Sequence, residues 1–133
     1  MSKKKNLLTT NLHMKIRIHE IEMGSHDLSA ASAFFKLLGL QPAIEQDGLT
    51  VFNSGQKGVD LNLSKHLPAG ATQISFITDD LKAVMQHLTV HKIAFEGPYE
   101  SHLGMLSIRF HSPDGIPILI NTPTDSSPDW LQV

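Results

Sequence analysis

Three alternating runs in this chain set acids, amides and a hydroxyl two positions apart. Glu20 and Glu22 flank Ile21, Asp60 and Asn62 flank Leu61, and Gln73 and Ser75 flank Ile74. In an extended strand alternate side chains share a face, so each polar pair projects to one side and its apolar neighbours to the other. A fourth run sets Ser107, Arg109 and His111 opposite Leu106, Ile108 and Phe110, and a fifth ends on Leu119 and Asn121. Carboxylates and amides on one face can accept donors from a polar molecule, and Arg109 can hold a carboxylate or another anion. Burying such groups costs desolvation unless they pair or meet a ligand. The competing reading is that Arg109 and the glutamates satisfy one another in a water-filled hollow.

Glu20 and Glu22 also have the types for acid/base work, because close carboxylates push their proton affinities apart. Neighbouring same-face glutamates are, however, common in plain polar linings. His111 is expected inside, as a hydrogen-bond donor rather than a general base. His87 and His91 stand four positions apart in a helical pattern, a spacing at which two imidazoles can share an ion. No third ligand is evident near them in the sequence, which favours solvated surface histidines. His19 is expected toward the helix layer or the rim. Tyr99 and His102 fall in an expected loop, and Phe34 and Phe35 are expected to pack between helix and sheet. No glycine-rich phosphate loop, nucleophile elbow or basic–aromatic stripe occurs, and no cofactor is implied.

The 133 residues suit one domain with a real core. A net charge of −2 gives no reason to expect nucleic acid or an anionic membrane as partner. Without cysteine there is neither a disulfide framework nor a thiolate metal site. No run approaches the ~18 apolar residues of a membrane helix, and the basic start lacks a secretory apolar core. The location expected by default is cytoplasmic.

The elements that position these residues repeat. Glu20 to Leu28 runs from an alternating stretch through an Asp-Leu pair into a helical pattern, and Gln73 to Leu81 does the same, with Asp27 and Asp80 53 positions apart. In the first copy a strand over Met14–Met23 leads to a helix over Leu28–Leu38, capped by Asp27 and stopped by Gly39. Its apolar stripe is Ala31, Phe34, Phe35 and Leu38. Strands over Pro42–Gln46, Leu49–Asn53 and Val59–Leu63 follow, with Asp47-Gly48 as a hairpin signal. In the second copy a strand over Thr72–Thr78 leads to a helix capped by Asp79 or Asp80, with Leu81, Val84, Met85 and Leu88 inside. Strands near Ile93–Glu96, Met105–His111 and Pro117–Asn121 complete it, and Pro113-Asp114-Gly115 turns the last hairpin. The expected class is α+β, two tandem β-α-β-β-β modules (14–63 and 72–122) in one domain over 14–124. Residues 1–13 are expected to be a flexible tail. Residues 125–133 are expected to be a polar tail whose Trp130 docks on the surface or on a partner subunit.

These residues resemble the vicinal oxygen chelate superfamily, which includes glyoxalase I, the bleomycin and fosfomycin resistance proteins and the extradiol dioxygenases. The matching stretches are Ile21 through Leu28, Ala33-Phe34-Phe35-Lys36-Leu37-Leu38-Gly39-Leu40, Ile74 through Leu81, and Ser112-Pro113-Asp114-Gly115, within about Ile16 to Thr122. The resemblance implies curved sheets around a central cup, and association as a homodimer. It places the family's metal positions on Glu20, on Asp60 or Asn62, on Gln73 and on Leu119. Leucine has no lone pair, and the family's opening histidines are missing, so the resemblance points to the metal-free, bleomycin-resistance-like branch. The expected function is small-molecule binding without a tightly held metal, through Glu20, Glu22, Asp60, Asn62, Gln73, Ser75, Arg109, His111 and Asn121. Two rivals stay open at this point: a metal-dependent lyase, isomerase or dioxygenase with an atypical ligand set, and a partner-binding module with a vestigial cup.

Overall fold

Alternation sets the first strand. In the computed structural model, which describes residues 15–133, β1 spans Ile16–Gly24. The expected tail at 1–13 lies outside the described residues. Asp27 then caps helix α1 (Leu28–Leu37) by accepting a 3.0 Å bond from the Ala30 amide. Gly39 ends the helix at φ 96°, a left-handed conformation that a side chain resists. Strands β2 (Pro42–Gln46), β3 (Leu49–Asn53) and β4 (Asp60–Ser64) follow. The second copy runs β5 (Thr72–Thr78), helix α2 (Leu81–Val90), β6 (Glu96–Glu100), β7 (Leu106–His111) and β8 (Pro117–Thr122). The strands form one sheet in the order β2-β3-β4-β1-β5-β8-β7-β6. The class is α+β, and both copies keep the expected β-α-β-β-β order.

By internal packing the chain divides into two compact units, and their boundaries cut across the repeat. One takes in Ile18–Phe76 and His111–Leu119; the other takes in Ile77–Phe110 and Ile120–Val133 with the start of β1. In the first unit α1 packs on β3 and β4. Phe35 and Phe52 lie 6.0 Å apart ring to ring, and Phe52 is fully buried. The apolar stripe expected on α1 is only partly used. Phe34 is 59% exposed and Leu38 is exposed as well, while Ser32 is buried with its hydroxyl 3.3 Å from that of Thr50. The small Ser32 faces β3 beside Phe35, which shifts the inward face of the helix by roughly 60° from the expected stripe. The Lys36–Glu45 ion pair, at 2.8 Å, ties the exposed side of α1 to β2.

In the second unit Asp80 is the residue that caps α2, accepting from Ala83 N at 3.0 Å, while Asp79 accepts from Lys15 N at 2.8 Å. Leu81, Val84 and Leu88 are buried and Met85 is half-buried. Ile77, Met105 and Leu131 form a buried cluster. The C-terminal residue that docks is thus Leu131, whereas Trp130 is 68% exposed. Arg17 donates to the Gln132 carbonyl and fastens the same segment. The expected strand at Ile93–Glu96 lies further along, at Glu96–Glu100. Gly97-Pro98 reads as a strand breaker, yet β6 is the last strand in the order, where a proline costs no ladder bond. Tyr99 is therefore a strand residue opposite Ser107 rather than part of a loop, and His102 sits in a short 3₁₀ turn (His102–Gly104). No helix among the described residues is long and apolar enough to cross a membrane.

Candidate functional site

β1 lies between β4 and β5, so its polar face meets theirs. It runs parallel to β4, with Glu20 opposite Asp60 and Glu22 opposite Asn62. The expected parity produces a direct contact: Asn62 Nδ2 donates to Glu20 Oε2 at 2.8 Å. A carboxylate only accepts, which fixes the amide's orientation and turns Asn62 Oδ1 away from Glu20. That oxygen is buried and has no hydrogen-bond partner among the described residues. Asn62 itself is 5% exposed, and Glu20, Glu22 and Asp60 are half-buried.

On the other side of β1, Gln73 and Ser75 of β5 are buried, as alternate residues of one face. Gly24 N donates to Ala71 O near the end of β1, and Thr78 Oγ1 donates to Lys15 O near its start. The two strands therefore run in opposite directions, with Glu22 toward the Gln73 end and Glu20 toward the Ser75 end. The first unit buries Asn62, Gln73, Ser75, Ser64, Thr50 and His19 alongside Val51, Phe52 and Leu63, with Val51 directly opposite Asn62 and Thr50 opposite Leu63. A core this polar is stable only where its groups find partners. His19 is buried, and its Nδ1 is 3.9 Å from Glu20 Oε1.

Asn121 belongs to the second unit and is 1% exposed. Its Oδ1 accepts from the Ser107 hydroxyl, and Ser107 Oγ lies 2.6 Å from Ser101 Oγ. Ser101 Oγ in turn donates to Met105 O at 3.3 Å, and the Ser107 hydroxyl reaches both Ser101 Oγ and Asn121 Oδ1. The result is a hydrogen-bonded chain joining half-buried Ser101, Ser107 and fully buried Asn121, with Asn121 Nδ2 left without a partner among the described residues. Ser101 was invisible to sequence reasoning because the strand before it was expected too early. With β6 at Glu96–Glu100, its place across the turn from Ser107 becomes readable.

Arg109 and His111, expected to be enclosed, are exposed. β7 has the edge strand β6 on one side, and the pairing slips between Glu96 and Tyr99, so Arg109 stands opposite the exposed Glu96 with little cover. Among the described residues, no three of His, Cys, Asp and Glu gather closely enough to hold a metal ion.

Neither a family model nor a curated protein matches the chain. Solved structures do. A glyoxalase/bleomycin resistance protein/dioxygenase superfamily member from Vibrio splendidus 12B01 matches with TM-score 0.62 at 19% identity, over 82% of this chain and 100% of that one. A homoprotocatechuate 2,3-dioxygenase from Brevibacterium fuscum matches with TM-score 0.65 at 20% identity, over 81% of this chain but 32% of that one. A methylmalonyl-CoA epimerase from Mycobacterium tuberculosis matches with TM-score 0.59 at 15% identity, over 80% of this chain and 87% of that one. At these identities the likeness is one of fold: the chain has the vicinal oxygen chelate fold.

Proposed function

We propose that this chain binds a small polar molecule at the Glu20–Asn62 face, without a tightly held metal. The carrying observation is Asn62, a buried amide whose Nδ2 is held by Glu20 while its Oδ1 has no partner among the described residues. An unmet buried acceptor costs about 1–3 kcal/mol, and a ligand donor removes that cost. With the Glu20 and Glu22 carboxylates beside it, the face suits a molecule rich in hydroxyl or amine donors. Buried Gln73 and Ser75 supply both donors and acceptors and would fix its orientation.

The metal positions implied by the resemblance do not fit an ion well. Leu119 has no lone pair, Glu20 already accepts from the Asn62 amide, and Gln73 is a neutral donor. Proteins of this fold include a dioxygenase and an epimerase, so fold alone selects no reaction. A homodimer is part of the same proposal, supported by the exposed apolar side of α1.

A thermal-shift screen against aromatic metabolites, thiol conjugates and cationic antibiotics tests the binding. We expect a donor-rich compound to raise the melting temperature, and Glu20→Gln or Asn62→Leu to abolish the shift. A hit that both variants still bind would place the ligand elsewhere. Elemental analysis after titration with manganese and iron tests the metal statement. A stoichiometric ion lost on Glu20→Ala would overturn it.

A further inference from the structure

We infer that His87 and His91 form a surface site for a late first-row transition-metal ion, taken as copper(II) or nickel(II) in preference to zinc(II). The site is remote in sequence from the Glu20–Asn62 face and does not depend on it. Four residues apart on α2, the two side chains stand one above the other on a single face. Their ring centroids are 4.5 Å apart, with the planes at 64°.

That separation is the one a shared ion requires. With metal–nitrogen bonds of about 2.0–2.1 Å, each imidazole centre sits about 3.2 Å from the ion. Two rings at a right-angle bite are then about 4.5 Å apart, against about 5.2 Å at a tetrahedral angle. The observed value lies within reach of two ligands on one ion, and imidazole sites hold copper(II) more tightly than nickel(II) or zinc(II). The torsion about each Cβ–Cγ bond is soft, so the rings can reorient with little movement of their centroids.

The surroundings favour a cation. His91 caps the C-terminus of α2, its amide donating to the His87 carbonyl at 3.2 Å. The helix dipole presents its negative end there. His87 is half-buried beside the buried Val84 and Leu88 flank, so one ligand is held by packing, while exposed His91 leaves room for waters at the other positions. Exposed Lys92 is the charge that opposes binding. With only two protein ligands the site is open and exchangeable.

The full chain, free of any polyhistidine tag, is titrated with copper(II), nickel(II), zinc(II) and magnesium(II) by calorimetry, with electron paramagnetic resonance of the copper form. We expect one equivalent of copper with two nitrogen ligands, affinity falling from copper to nickel and zinc, and no magnesium binding. Loss of an outer-shell partner alone weakens metal sites 10–100-fold, so His87→Ala and His91→Ala should each cost at least about tenfold. His91→Gln, on an exposed residue, repeats the test without threatening the fold, and His111→Ala serves as a control that leaves binding intact. Copper affinity unchanged in the His87→Ala/His91→Ala double variant, or equal loss on His111→Ala, overturns the assignment.

Discussion

At Asn62 and Asn121 the same side chain meets two different neighbours. Glu20 can only accept, so the Asn62 amide presents its nitrogen to it and its oxygen to whatever lies beyond. Ser107 can do either, and here its hydroxyl donates to Asn121 Oδ1. The two amides therefore offer opposite unmet groups, an acceptor at Asn62 and a donor at Asn121. Ser107→Ala would strand the Asn121 oxygen as well, in a site where Ser107 itself is fully buried. We expect a loss of about 1–3 kcal/mol in urea unfolding. An unchanged midpoint would mean that Ser107 is not what satisfies Asn121. The acid–amide face was legible because strand parity is a local property: Glu20 and Asn62 meet as the alternation implies. Arg109 and His111 were misplaced because parity gives a face and says nothing about how much chain covers it.

Caps, stops and tight turns are also local, and at the scale of elements they read well. Asp27 and Asp80 accept from the third amide after them, and Gly39, Gly48 and Gly115 take positive φ where the turns require it. The facing of α1 did not read, because Ser32 rather than a phenylalanine decides how the helix meets β3. Leu131 was hidden in a polar stretch, and its role shows only once Ile77 and Met105 are beside it. Glycine positions separate two kinds of constraint. At Gly24 an added Cβ would lie 1.9 Å from Pro68 O and 2.7 Å from Leu67 O, backbone atoms that cannot swing aside. The same residue bonds that loop in both directions, through Gly24 N to Ala71 O and Gly70 N to Gly24 O. Gly48, at φ 84°, has open space where its side chain would be. Gly48→Ala should cost only the left-handed penalty, about 1–2 kcal/mol. Gly24→Ala should cost about 3 kcal/mol or more, since the loop must move. Paired thermal melts decide it, and a Gly24 variant as stable as the Gly48 variant would rule out the close approach.

For the whole molecule, α1 raises the question of what covers it. Phe34, Leu37 and Leu38 are 59%, 86% and 64% exposed, and Leu37 has almost no cover at all. Apolar side chains standing singly on a surface need no explanation, but three within five residues of one helix form a stripe. Turning Ser32 and Phe35 inward is what leaves that stripe outside, so the exposure follows from how α1 packs rather than from a frayed end. In the proposed homodimer this stripe is the surface that meets the second copy. Light scattering across a range of concentrations should show the dimer for the wild-type chain. Leu37→Glu should shift it to monomer while changing monomer stability by about 0.5 kcal/mol or less, because the side chain is already exposed. Phe34→Glu checks the same stripe at a second point. Should both charged variants remain dimeric, another surface makes the contact. A wild-type chain that stays monomeric at every concentration would remove the dimer from the proposal and leave the Glu20–Asn62 face untouched.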